Sequence, residues 1–166
     1  TLAVRGAPAI GAAGAAAVAL WAVNEGAAGA VSHGCAESSE RFLEALGPVA
    51  AEIAAARPTA VNLMWATARM ESLAKRLVAE GAAPGEVADA LFDEVLRIER
   101  EDEAVNRAIG AAGASLVPER ARILTHCNAG SLATVFYGTA LGVVYSAAEQ
   151  GKVERVFADE TRPVGQ

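Results

Sequence analysis

The last third of the chain carries the pattern that most constrains its fold. "ARILTH" (121–126) and "VERVFADE" (153–160) are short, apolar-rich segments that predict buried strands. Between them, "SLATVFYGTALGVVYSAAEQG" (131–151) predicts a helix. A strand, a helix and a strand at these lengths form a βαβ unit, so the sequence predicts a parallel sheet. Because parallel sheets are covered on both faces, two strands are too few, and we expect further strands from sequence beyond Gln166.

The preceding residues predict helices. Residues 1–9 are expected to form a loop, in which Gly6 and Pro8 set the turn into the first helix. Apolar residues at helical spacing predict helices over residues 10–23, 38–56, 59–80 and 84–114. Thr59 is expected to cap the third helix, and the Gly-rich stretch 24–34 to connect the first two. Between Glu86 and Arg107, eight acidic and three basic residues indicate a solvated helix face.

Composition argues against several classes of protein. The net charge is −6, and a general nucleic-acid surface would need clustered Lys and Arg to neutralise phosphates. The uncharged run 6–24 is dominated by Ala and Gly rather than Leu, Ile and Val, which favours a buried helix over a membrane span. Cys35 and Cys127 are the only cysteines, and no framework of spacings accompanies them. Reduced thiols in a cytosolic protein are therefore favoured over a single disulfide.

The stretch "ILTHCNAGS" (123–131) places Cys127 where ligands bind in α/β sheets, beyond the carboxyl end of a strand. A helix beginning near Ser131 would bring free N–H groups and partial positive charge, making the thiol a usable proton donor or acceptor. The alternative is a small thiol that fills space behind the strand. The three residues that follow, Asn128, Ala129 and Gly130, are a candidate anion-binding turn. His126 alternates away from Cys127, so a Cys–His pair would need a break in strand geometry.

Three other segments could contribute to a site. In "VRGAPAIG" (4–11), Arg5 is an isolated charge in a loop that leads into a helix, where its partner is either a carboxylate or a substrate phosphate. In "ARPTAVNLMWA" (56–66), Arg57 precedes a helix start, although an Arg before Pro is ordinarily a solvated loop residue. In "DETRP" (159–163), Asp159 and Glu160 are acid/base candidates for which a salt bridge to Arg162 is the simpler role.

Taken together and in this order, "VRGAPAIG", "RPTAVNLMWA", "ILTHCNAGSLATVFYGTALG" and "FADETRP" with the following Gln resemble the methylthioribose-1-phosphate isomerase family of the methionine salvage pathway. The resemblance spans nearly all of the chain. The wider superfamily includes ribose-1,5-bisphosphate isomerases and regulatory subunits of the translation-initiation guanine-nucleotide exchange factor. The resemblance implies an α/β fold truncated at both ends, with a helical N-terminal domain (1–117) and the first βαβ unit of a Rossmann-like domain (118–166).

The resemblance also implies roles for particular residues. Cys127 matches the catalytic cysteine of the family. The residues implied to bind substrate are Arg5, Gly6 and Ala7 in one loop, the phosphate-binding Arg57, and Gln166 after the "ETRP" motif. The second catalytic residue of the family is an aspartate farther downstream than this chain reaches, and Asp159 belongs to a different motif.

The function implied for the full-length protein is conversion of 5-methylthioribose 1-phosphate into 5-methylthioribulose 1-phosphate by a cytoplasmic homodimer. Whether a proton or a hydride moves is left open. The sequence contains no metal cluster or nucleotide fingerprint, so no cofactor or metal is expected, and neither nucleic acid nor membrane is an expected partner. The alternatives are an isomerase of another phosphorylated pentose, such as ribose 1,5-bisphosphate, and a non-catalytic regulatory or scaffold relative.

Overall fold

The structure is a computed structural model that describes residues 4–26 and 35–159. The helices are α1 (Ala7–Trp21), α2 (Cys35–Ala55), α3 (Val61–Ala79), α4 (Pro84–Ala114) and α5 (Ala140–Glu149), and the strands are β1 (Ala121–Thr125) and β2 (Val153–Ala158). A π-helical turn (Ala22–Gly26) extends α1, and a 3-10 turn (Ser131–Ala133) lies between β1 and α5. Glu160, Arg162, Gln166 and most of the predicted 24–34 connector lie outside the described residues.

The chain divides into two compact units. The helical unit is Ile10–Ile98, and the sheet unit combines Thr1–Ala9 with Glu99–Gln166. The division falls inside α4, because the C-terminal part of this long helix packs with the segments around the strands. The domain boundary that the sequence places between residues 117 and 118 stays a prediction.

In the helical unit, α1 packs against protein through its glycines. A Cβ added at Gly11 would stand 2.9 Å from the backbone oxygen of Asn62, and one added at Gly14 would collide with the side chain of Leu63. Ile10 joins Leu63 in a buried apolar cluster. The segment Ala7–Asn24 is also long and apolar enough to cross a membrane, with a mean hydropathy of 1.5. In the structure 39% of this segment is buried, and its Gly11 and Gly14 pack directly against α3.

The other helices of this unit follow the predicted apolar spacing. Phe42 and Leu46 of α2 and Met70 of α3 are fully buried. The N-terminus of α3 differs from the prediction. The helix begins after Ala60, and no side chain caps it, so the prediction of Thr59 as the cap is wrong. A backbone hydrogen bond closes the turn before α3 in place of a side-chain cap: the amide of Ala60 donates to the carbonyl of Arg57 (2.9 Å).

In the sheet unit, the predicted parallel βαβ arrangement is confirmed. β1 and β2 pair in parallel, with Ile123 opposite Val156 and Leu124 opposite Phe157. Helix α5 packs against both strands and buries Val144 and Ala147 on one face of the sheet. The chain therefore has the α/β class that the sequence predicts, with a helical part preceding the strands.

The crossover helix is shorter than the sequence predicts. A continuous helix over 131–151 is wrong: after the 3-10 turn the backbone is irregular until α5 begins at Ala140. Tyr137 and Gly138 adopt positive φ values of 78° and 85°, which an α-helix cannot contain. The Thr134 hydroxyl accepts a hydrogen bond from the Gly138 amide (3.1 Å) and so competes with helical bonding.

Candidate active site

A cavity of about 440 Å³ lies within the sheet unit, at the carboxyl end of β1. Small-molecule sites commonly have volumes of about 300–1,000 Å³. Three segments line it: the chain entering α1, the turn after β1, and the stretch before α5. The lining residues are Arg5, Gly6, Ala7, Pro8, Cys127, Asn128, Leu132, Ala133, Thr134 and Thr139. The first of these segments is more than a hundred residues from the other two in sequence, and together they carry two of the motifs singled out above.

Cys127 is an exposed, free thiol at this cavity. Its φ of 68° lies in the left-handed region, which costs a residue with a Cβ about 1–2 kcal/mol. The turn that holds this conformation is fastened to the start of α5, because the Ala129 carbonyl accepts hydrogen bonds from the amides of Thr139 (3.0 Å) and Leu141 (3.2 Å). Backbone strain of this kind is concentrated at functional sites, where surrounding contacts maintain it.

The sequence predicts that an α-helix begins near Ser131, beside Cys127, but no α-helix begins there. Ser131 begins only a three-residue 3-10 turn, and the amides at the start of α5 are occupied by Ala129 as described. Asn128 lines the cavity, whereas Ala129 and Gly130 are half-buried and tie the turn to its neighbours. Anion binding by this turn stays a prediction.

A different helix N-terminus borders the cavity. The sequence predicts that the first helix begins at Ile10, but α1 begins at Ala7, and its first two residues line the cavity. The signal for this start was Pro8, since proline fits the first turn of a helix, where its missing N–H is not needed. No acidic residue occupies the first turn of α1, so no carboxylate there competes with an anion for the amides of the helix N-terminus.

Gly6 allows the entering chain to come against the turn after β1. A Cβ at this position would overlap the backbone of Ala133. Only glycine therefore lets Arg5 and Ala7 line the same cavity as Cys127. Thr134 and Thr139 also line it, and sequence reasoning missed both, because they fell within the helix predicted over 131–151.

The remaining candidates lie elsewhere. His126 does not pair with the neighbouring thiol; its Nδ1 lies 2.9 Å from Oδ2 of Asp159, and both side chains are exposed. This pair joins the carboxyl ends of β1 and β2, as does the hydrogen bond from the Asp159 amide to the Thr125 carbonyl (3.2 Å). Arg57 belongs to the helical unit, in the turn between α2 and α3, and Gln166 lies outside the described residues. Their substrate-binding roles stay predictions.

Comparison with known proteins identifies the family. The model of the initiation factor 2 subunit family matches residues 3–166, almost the whole chain. The chain belongs to this family. Within the described residues, no group of three or more His, Cys, Asp or Glu side chains is placed to hold a metal ion.

Several curated proteins are similar to this chain in sequence. The methylthioribose-1-phosphate isomerase of Syntrophotalea carbinolica is 50% identical over 163 residues, which cover 98% of this chain and 44% of that protein. The enzyme of the same name from Geobacter metallireducens is 51% identical over 162 residues, or 96% of this chain and 43% of that protein. The chain thus spans less than half the length of these relatives.

Two solved structures are similar over 98% of this chain. The 5-methylthioribose 1-phosphate isomerase of Pyrococcus horikoshii has a TM-score of 0.83 and 38% identity, with 42% of that chain covered. The translation initiation factor eIF-2B, subunit delta, of A. fulgidus has a TM-score of 0.77 and 43% identity, with 44% of that chain covered. The fold alone therefore does not separate an isomerase from a translation-factor relative.

Proposed function

We propose that the full-length protein is an aldose–ketose isomerase that converts 5-methylthioribose 1-phosphate into 5-methylthioribulose 1-phosphate. The observation that carries this proposal is the cavity that Arg5 and the first residues of α1 line together with the exposed thiol of Cys127. The names of the relatives at 50% and 51% identity supply the substrate. A scaffold has no evident need for a strained thiol beside an arginine and a helix N-terminus.

The phosphate is proposed to bind at the start of α1. Free amides at a helix N-terminus point at an anion, and the helix dipole favours negative charge there. Arg5 adds a guanidinium that can donate two parallel hydrogen bonds to phosphate oxygens. Arg57 and Gln166 are proposed as additional substrate contacts, on the basis of the motifs in which they occur.

Cys127 is proposed as an acid/base group. In the substrate, phosphate on the anomeric oxygen blocks the ring opening that free sugars undergo. The net reaction breaks the bond between C1 and the ring oxygen, moves a hydrogen from C2 to C1, and turns the 2-hydroxyl into a carbonyl while the ring oxygen gains a proton. A thiol facing the sugar can deliver or accept a proton in this exchange, and an aspartate downstream is proposed as its counterpart. No cofactor is invoked.

Replacement of Cys127 by Ser in the full-length protein tests this role. We expect the variant to keep its melting temperature and to lose activity by more than about a hundred-fold, since general acid/base groups typically contribute 10²–10⁴-fold. The assay follows ketose formation from 5-methylthioribose 1-phosphate. The matched control is Cys35→Ser, which changes the only other cysteine of the chain and should keep normal turnover. Normal activity in Cys127→Ser would overturn the proposed role of the thiol.

A non-catalytic role is the second candidate, and the similarity to the A. fulgidus translation initiation factor favours it. It predicts that the full-length protein converts neither 5-methylthioribose 1-phosphate nor ribose 1,5-bisphosphate while binding a protein partner stably. Side-by-side assays with both sugar phosphates also distinguish the proposed isomerase from one that acts on another pentose. Turnover of the methylthio substrate with a clear preference over the other would exclude both alternatives.

The cellular context is proposed from the same resemblance. We propose that the protein acts in the cytoplasm as a homodimer, within methionine salvage. The net charge of −6 supports a small-molecule substrate rather than nucleic acid. Light scattering of the full-length protein would test the dimer, with a mass equal to one subunit contradicting it.

A further inference from the structure

One acidic side chain of α4 reaches the stretch of backbone that forms a wall of the cavity. Oδ2 of Asp102 accepts a hydrogen bond from the backbone amide of Val135 (2.8 Å). Val135 directly follows Thr134, which lines the cavity. The acidic run of α4 is a solvated face by composition, yet Asp102 is half-buried and connects this helix to the site.

The Asp102 carboxylate is itself held in place. The side-chain amide of Asn106, one helical turn later, donates to the same Oδ2 (3.0 Å) and also to the backbone carbonyl of Asp102 (2.8 Å). Asn106 is buried, with 2% of its surface exposed, so its amide has a fixed position. A carboxylate that accepts two N–H groups is a stronger anchor than a neutral acceptor.

The segment that Asp102 anchors, residues 134–139, needs such support because its backbone is strained. Tyr137 and Gly138 have positive φ values, and the Thr134 hydroxyl donates to the Phe136 carbonyl (3.1 Å) while accepting from the Gly138 amide. At its far end, the Thr139 amide donates to Ala129 in the turn that carries the thiol. Displacement of residues 134–139 would therefore move both this wall of the cavity and the turn that carries Cys127.

We propose that Asp102 is a positioning residue for the site: its carboxylate fixes residues 134–139 so that Thr134, Thr139 and the Cys127 turn keep their places around the substrate. This inference deepens the proposed function and rests on it for its kinetic effect. The start of α1 and Arg5, which are proposed to hold the phosphate, belong to a separate segment. Loss of Asp102 should therefore affect the reacting end of the sugar more than phosphate binding.

The experiment compares the full-length protein with Asp102→Ala and Asp102→Asn. The matched control is Asp93→Asn, which removes the same charge from an exposed position of α4. For each variant, kcat, KM and the melting temperature are measured. The rate at which iodoacetamide alkylates Cys127 is measured as well, with peptide mass spectrometry separating this thiol from Cys35.

For Asp102→Ala, we expect kcat to fall at least about ten-fold while KM stays within about three-fold, because misplacement of reacting groups by an ångström can cost 10²-fold in rate. The alkylation rate of Cys127 should change at least about three-fold. Asp102→Asn keeps a carbonyl acceptor for the Val135 amide, so its loss should be smaller. Asp93→Asn should match the parent protein. A merely structural role would lower the melting temperature without this separation of kcat from KM.

An unchanged kcat or an unchanged alkylation rate in a folded Asp102→Ala variant would overturn the proposal, as would an equal loss in Asp93→Asn. A variant with unchanged kcat and a KM raised more than about ten-fold would do the same, because it would place Asp102 in binding rather than positioning. If Asp102→Ala fails to fold, Asp102→Leu, which has a similar size and no acceptor for the Val135 amide, decides by the same criteria. If the parent protein has no isomerase activity, the proposed function fails, and the alkylation rates still decide whether Asp102 positions the thiol.

Discussion

At the scale of single residues, the site depends on two backbone positions with opposite requirements. Gly6 must lack a side chain, because a Cβ there would overlap the backbone of Ala133. Cys127 has a side chain but adopts a φ of 68°, a conformation that is energetically more favourable for glycine. The sequence indicates Cys127 from its place after a strand, and Gly6 from its place in a loop. It contains no signal for the close approach that relates them.

Replacement of Gly6 by Ala should lower both stability and activity. The Cβ would meet backbone atoms, which cannot move aside as a flexible side chain can, and such overpacking costs about 1–3 kcal/mol. The free energy of unfolding is measured with denaturant on the full-length protein, and turnover is assayed in parallel. Gly85→Ala is the matched control: nothing lies within 4 Å of the added Cβ, and a helical position favours Ala by about 0.5–1 kcal/mol. Equal effects of the two changes would contradict the close contact.

At the scale of elements, the sequence predicts which helices and strands exist more reliably than where they begin. Long apolar stripes predict the bounds of α2, α3 and α4 to within a few residues, because burial of one apolar face is the main stabilising contribution to a long helix. The start of α5 was placed nine residues too early, since the residues of 131–139 have no strong helix breaker except Gly138. There, the side chains of Asp102 and Thr134 accept hydrogen bonds from the backbone amides of Val135 and Gly138, and these bonds outweigh the weak helix propensity of the segment. A contact between distant segments, such as that of Asp102 with Val135, cannot be predicted from the local sequence pattern.

The hydroxyl of Tyr137 should stabilise the irregular segment before α5. It lies 2.9 Å from the hydroxyl of Ser146 on α5, and both residues are buried. We expect Tyr137→Phe to lower the free energy of unfolding by about 1–2 kcal/mol, because it leaves the Ser146 hydroxyl buried without this partner. Thermal and denaturant unfolding of the full-length protein measure the loss. Tyr145→Phe, which keeps the ring that contacts Tyr137 edge-on, should cost less; a larger loss in this control would contradict the role of the buried hydrogen bond.

At the scale of the whole molecule, the described sheet is covered on one face only. Helix α5 covers the face that includes Ala121 and Thr125, while Leu124 and its partner Phe157 remain 70% and 41% exposed on the other. Parallel strands are ordinarily buried on both faces, and the similar relatives are more than twice as long as this chain. The fold class was therefore predictable from the βαβ pattern, whereas the extent of the sheet was not.

Hydrogen exchange of the full-length protein tests whether the sheet extends beyond β1 and β2. In a two-stranded parallel sheet, only alternate amides of β1 bond to β2, and the others face outward. If another strand pairs with the outer edge of β1, all amides of Ala121–Thr125 should exchange at least about a thousand-fold more slowly than unprotected amides. Amides in the buried part of α3 serve as the reference for a folded protein. Alternation of slow and fast amides along β1 would contradict the prediction and leave this strand at the edge of the sheet.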